Sequence, residues 1–60
     1  MKSVHKYHVE DTSRGVSIPV PGNIRSAKRE ALSICEGRKC IVNIYEVVAG
    51  QWELVGGAKP

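Results

Sequence analysis

The chain has 60 residues, of which 42% are hydrophobic and 25% charged, with nine Lys and Arg against six Asp and Glu for a formal charge of +3. This is the composition of an ordinary folded domain rather than a disordered segment. No apolar run approaches the roughly 20 residues of a membrane-spanning helix, and Met1 to Glu10 contains no signal-peptide-like apolar core, so a soluble cytoplasmic protein is expected. One domain, residues 1–60, is expected, near the lower size limit for a self-sufficient core. Burial and chain entropy nearly cancel at this length, so a disulfide, a metal or a partner is expected to contribute.

Val4-His5-Lys6-Tyr7-His8-Val9 alternates β-favouring residues and reads as a first strand, with His5, Tyr7 and Val9 on one face. Lys6, a common guard of exposed strands, places it at a sheet edge. Asp11-Thr12-Ser13-Arg14-Gly15 is turn chemistry. Val16, Ile18 and Val20 alternate with Ser17 and Pro19 as a second strand, which Pro19 confines to an edge. The two strands should form a hairpin.

Pro21-Gly22-Asn23 closes the extended segment, with Asn23 as the helix N-cap. From Ile24 to Glu36 the period turns helical: Ile24, Ala27, Ala31, Ile34 and Cys35 share one stripe with Leu32 at its flank. Gly37 is the expected left-handed stop, followed by Arg38 and Lys39 at the negative end of the helix dipole. The alanines let such a helix lie close on a sheet.

Cys40 to Val48 is the densest β-branched and aromatic run, and Gln51-Trp52-Glu53-Leu54-Val55 returns from an Ala49-Gly50 turn. A two-residue type I′ loop would force Ala49 to positive φ and set Glu46 opposite Glu53. A three-residue loop with a bulge at Gly50 avoids both. That register pairs Val47 with Gln51, Tyr45 with Glu53 and Ile44 with Leu54. It places Cys40, Val42, Ile44 and Leu54 on one face, with Glu46 and Trp52 at its rim. Asn43, Tyr45, Val47, Glu53 and Val55 take the other. Residues 57–60 read as a loose tail. The whole is a β-β-α-β-β chain: an α+β domain with one helix packed on one face of an antiparallel sheet. Strand order is not encoded in these local patterns.

His5, His8, Cys35 and Cys40 supply zinc-ligand chemistry, but strand geometry points His5 and His8 to opposite faces, so no metal and no cofactor is expected. A Cys35–Cys40 disulfide is conceivable across Gly37, yet reduced thiols acting as small hydrophobes fit a cytoplasmic protein better. No nucleophile–base pair, paired carboxylates or Gly-rich phosphate loop occurs, and the expectation is a protein that is not an enzyme.

One helix shields only one side of the sheet, so Tyr45, Val47 and Val55 are expected to form a self-association face, giving a homodimer. Arg25, Lys28, Arg29, Arg38 and Lys39 form a basic flank suited to a protein partner with an acidic surface or a nucleoprotein complex. The leading expectation is a small regulatory or inhibitory protein that binds a larger macromolecule, of the kind encoded by phages and mobile elements. The alternative is direct nucleic-acid binding through the same flank, with Tyr7, Tyr45 and Trp52 available for base stacking.

Tyr7-His8-Val9, Val16 to Gly22, and Glu30-Ala31-Leu32 resemble the start of HicB-like antitoxin domains, in which a strand ending in a Pro-Gly turn precedes a helix with a Glu-Ala-Leu step. The likeness spans residues 7–36. It departs from that family in a shorter gap between Pro-Gly and Glu-Ala, and in Val20 where the family has an acidic residue. It implies no more than a small regulatory protein that works by docking.

Overall fold

A computed structural model describes residues 5–60. Its elements are β1 (Tyr7–Asp11), β2 (Val16–Val20), α1 (Ile24–Arg38), β3 (Val42–Val48) and β4 (Gln51–Ala58). The strands form one antiparallel sheet in the order β2-β1-β3-β4. The expected α+β architecture is therefore observed, with the helix between β2 and β3. Of the residues assigned to the first strand, Val4 lies outside the described residues.

β1 is an interior strand, not the edge that Lys6 suggested. Lys6 stands just before the strand, and its ammonium pairs with the Glu46 carboxylate of β3 at 3.2 Å, so its charge serves the neighbouring strand. The Lys6 carbonyl also accepts the Val47 N–H at 2.8 Å. The true edges are β2 and β4. Pro19 in β2 fits that placement, because a residue without an N–H is tolerated where no outer strand needs the donor.

β2 and β3 both run antiparallel to β1, so α1 carries the chain across β1 and lies on one face of the sheet. Asn23 caps it: the backbone is extended there and Oδ1 accepts the Ser26 N–H at 3.2 Å, satisfying one of the orphan donors of the first turn. Gly22 is required just before the cap, since φ is +99° and an added Cβ would lie 2.8 Å from Ser26 Oγ. Ala27, Ala31 and Cys35 are buried against Val9, Val20, Val42 and Ile44. Ile24 and Ile34 pack at the margin, while Leu32 is exposed.

The helix does not stop at Gly37. It continues through Arg38, and Lys39 takes the left-handed cap at φ 55°, its N–H donating to the Cys35 carbonyl at 2.8 Å. The two extra residues have a cause outside the helix: the Arg38 guanidinium pairs with Asp11 at 3.0 Å, which ties the last turn to the end of β1.

The β3–β4 hairpin also departs from expectation. Val48 pairs with Gln51, and Ala49 and Gly50 both adopt positive φ, 51° and 79°. This is the two-residue loop, and Glu46 does lie opposite Glu53. The Lys6–Glu46 pair offsets the repulsion between them. The bulge exists, but at Val55 rather than Gly50, because Tyr45 pairs with Leu54 while Ile44 pairs with Gly56. Nor is there a tail from residue 57: β4 continues through Gly57 to Ala58, which packs against the core.

Candidate interaction surface

The sheet face away from α1 carries the most distinctive chemistry. Along β1, Val9 and Asp11 are buried on the helix side, which sends His8 and Glu10 to the open face by strand alternation. On β3, Val42 and Ile44 are buried, which places Asn43, Tyr45 and Val47 there. Cross-strand pairing of Val47 with Trp52 and of Tyr45 with Leu54 brings both β4 residues onto the same face.

Trp52 reaches across β3 and stacks on His8, with centroids 4.2 Å apart and planes at 22°. Tyr45 lies between the strands, tilted 44° to the indole at 5.7 Å. The Tyr45 hydroxyl donates to Glu10 Oε1 at 3.0 Å, and Asn43 Nδ2 donates to the same oxygen at 3.1 Å. That bond to Glu10, reinforced by burial and by the carboxylate's charge, raises the phenol pKa above its ordinary value. The polar part of the face is thus satisfied from within. Its apolar part is not: Trp52 is 47% exposed and Leu54 64%.

Of the expected self-association residues, Tyr45 and Val47 sit on this face, half-buried, and Val55 is the extra residue of the bulge. Trp52 and Leu54 join them, whereas the expected register put Trp52 on the face opposite Tyr45. The signal was present in the sequence: an Ala-Gly two-residue loop places Trp52 directly across from Val47.

The basic residues divide. Arg25, Lys28, Arg29 and Lys39 are exposed, the first three on α1, across the sheet from its open face. Arg38 is engaged in an ion pair and does not belong to a free basic flank. The ion pairs among the described residues are Lys6–Glu46, Arg14–Asp11 and Arg38–Asp11.

Asp11 is the residue that sequence reasoning missed, since it reads as turn chemistry. It is 2% exposed. Its Oδ1 accepts from the Ser13 N–H at 3.0 Å, the Ser13 hydroxyl at 2.6 Å and the Cys40 thiol at 3.3 Å. Its Oδ2 accepts from Arg14 Nε at 2.9 Å and lies 3.0 Å from Arg38 Nε. The Ser13 hydroxyl bond above all, with the Cys40, Arg14 and Ser13 backbone donors, holds the carboxyl far below the usual carboxylate range, against burial, which opposes ionisation. Both oxygens are occupied by the protein's own donors. The cluster is a clasp joining the β1–β2 turn, the helix C-terminus and the approach to β3.

Cys35 and Cys40 are free thiols, one buried and one half-buried. Among the described residues no three or more His, Cys, Asp or Glu side chains are grouped to hold a metal ion, and no helix is long and apolar enough to cross a membrane.

The fold and its surfaces define a small α+β domain whose helix covers one side of a four-stranded sheet and whose other side presents an aromatic cluster. No family model, no curated protein and no solved structure matches the chain. The resemblance of residues 7–36 to HicB-like antitoxin domains therefore carries no further argument.

Proposed function

We propose that this chain is a non-catalytic interaction domain: a small regulatory or inhibitory protein that self-associates and docks on a larger macromolecule. The observation that carries this reading is the exposure of Trp52 and Leu54 beside Tyr45, Val47 and His8 on a face that no element among the described residues covers. Large exposed aromatics are costly to leave in water and are the residues on which binding energy concentrates. The Glu10 carboxylate beside that cluster is already bonded to Asn43 and Tyr45. Such a surface suits a near-neutral protein partner and repels a polyanion.

A second reading has its own observation. Arg25, Lys28 and Arg29 are exposed cations on α1, available to phosphates or an acidic protein surface.

Affinity capture from the native host tests the first reading when run with wild type, Trp52→Ala/Leu54→Ser and Arg25→Glu/Arg29→Glu side by side. A partner retained by wild type and the helix variant, and lost by the face variant, is the expected result. Oligonucleotide binding across a salt series tests the second: a steep negative log–log slope that disappears in Arg25→Glu/Arg29→Glu would establish it, and loss of the partner by that variant alone would refute the first.

A further inference from the structure

We propose that Cys35 and Cys40 form an oxidisable dithiol, which hydrogen peroxide closes to an intramolecular disulfide, and that closure withdraws the Cys40 thiol from the Asp11 clasp. The proposal is independent of the open sheet face and of any partner held there.

Three features of the helix C-terminus point to this pair. The first is the cap. In an unbroken helix, positions five apart are separated by about 7.5 Å along the axis, and a disulfide requires Cα atoms within about 7 Å. Here the helix ends at Arg38, and Lys39 turns left-handed at φ 55° and ψ 46°, its N–H bonded to the Cys35 carbonyl at 2.8 Å. Cys35 and Cys40 thereby occupy the positions, inside and beyond such a cap, whose side chains meet as the chain turns back. Both lie in one environment: Cys35 is 1% exposed within the core cluster, and Cys40 packs against that cluster. Gly37 lies between them, and a Cβ built there meets nothing within 4 Å. A glycine loosens the last turn, which gives the backbone room to reach disulfide geometry.

The second feature is access. Cys35 is buried and Cys40 half-buried, so a small oxidant meets Cys40 first. The Cys40 thiolate attacks one peroxide oxygen and the O–O bond breaks. The products are Cys40 sulfenic acid and hydroxide, which takes up the thiol proton as water. The Cys35 sulfur then attacks the Cys40 sulfur, the S–O bond breaks, and the departing hydroxide leaves with the Cys35 proton as a second water. Two thiols and one peroxide become one disulfide and two waters, the sulfurs supplying the two electrons that reduce the peroxide.

The third feature is the link to the clasp. The Cys40 thiol donates to Asp11 Oδ1 at 3.3 Å, the oxygen that also accepts from the Ser13 N–H at 3.0 Å and the Ser13 hydroxyl at 2.6 Å. A disulfide sulfur has no proton to donate, so oxidation removes this one bond. Asp11 keeps its contacts with Ser13, Arg14 and Arg38, and the fold stays closed while the clasp loosens where the chain approaches β3.

The test uses the full chain, reduced and then treated with hydrogen peroxide at low micromolar protein. Wild type should lose about 2 Da, fall from two free thiols to none on titration in denaturant, and yield a Cys35–Cys40 crosslink on peptide mapping. Dithiothreitol should restore both thiols. Cys35→Ala, which keeps a small apolar side chain in the core, should stop at a Cys40 sulfenic acid that dimedone captures. Cys40→Ser, which keeps a hydroxyl to donate to Asp11, should show no loss of mass. In wild type the Ser13 amide resonance should move on oxidation while that of Val47, on the other face of the sheet, holds. Thiols that survive peroxide, an intermolecular disulfide, or a wild-type Cys40 carried on to sulfinic acid would overturn the dithiol. A Cys35–Cys40 disulfide that leaves the Ser13 amide unmoved would overturn the link to the clasp.

Discussion

Ala49 offers the sharpest test of the hairpin. It sits at φ 51° in the β3–β4 loop, and Gly50 follows at 79°. A residue with a Cβ held in the left-handed region loses about 1–2 kcal/mol relative to its preferred backbone, and glycine does not. Replacing Ala49 by Gly removes that strain but adds about 0.4–1 kcal/mol of unfolded-chain entropy. The net expectation is stabilisation of about 0.5–1 kcal/mol. Ala49→Asn should do at least as well, because Asn favours this turn position without the glycine entropy. The converse substitution isolates the effect: an added Cβ at Gly50 meets nothing within 4 Å, so Gly50→Ala carries the backbone penalty without a clash and should destabilise by about 1 kcal/mol or more. In a domain of this size 1 kcal/mol moves Tm by about 4–8 °C. Thermal melts by far-UV CD and urea unfolding by Trp52 fluorescence, at one protein concentration because association would shift Tm, measure both changes. If Ala49→Gly leaves Tm unmoved or lowers it while Gly50→Ala, at positive φ in either loop, still destabilises, Ala49 is not left-handed in solution. The three-residue loop, with Tyr45 rather than Glu46 across from Glu53, would then be the correct register.

Further outcomes follow from the core and the clasp. Because the Asp11 carboxyl titrates below its unfolded value in the fold, it is ionised there at pH values where the unfolded chain has begun to protonate. Its contribution is full above about pH 5 and is lost as pH falls through about 4 and lower. Wild type should thus lose Tm steeply on acidification, and Asp11→Asn should melt lower at pH 7 with a flatter acid limb; parallel acid limbs would contradict this. Ile44→Ala removes a fully buried side chain of β3 beneath α1 and should cost about 2–5 kcal/mol. That is most of the roughly 3–9 kcal/mol expected for a chain of this length, so a cooperative melt with little loss of Tm would argue against the core described. Asn23→Ala deletes the N-cap acceptor and should cost about 1 kcal/mol, read by urea titration with an unchanged m-value.

The parts of the fold that are legible in the sequence are those decided locally. The spacing of Ala27, Ala31 and Cys35, the Asn23 cap and the Pro19 restriction all depend on neighbours within a few residues, and the structure keeps each of them. What local pattern misses is set by distant partners. β1 becomes interior because β3 returns beside it, which no residue between Tyr7 and Asp11 announces. Gly37 stays helical because Arg38 reaches Asp11, 27 positions earlier in the chain. Asp11 itself looks like any turn aspartate until donors from its own turn and from residues 38–40 close around it. The open face follows in outline from the single helix, but local pattern puts Trp52 on the wrong side, because the penalty at Ala49 says nothing of the packing that opposes it.

That packing explains why the strained loop is retained. In the three-residue register Leu54 would face Ile44 and enter the layer beneath α1. The helix meets the sheet there through Ala27, Ala31 and Cys35, and the β4 end of that layer is occupied by Gly56 and Ala58. A leucine side chain added to a layer that glycine and alanine now occupy overpacks it, and overpacking costs about 1–3 kcal/mol, as much as the strain at Ala49. The register that keeps the helix close therefore sends Trp52 and Leu54 outward. A domain this small has little apolar area to spare, and it places Trp52 and Leu54 where none of the described residues covers them.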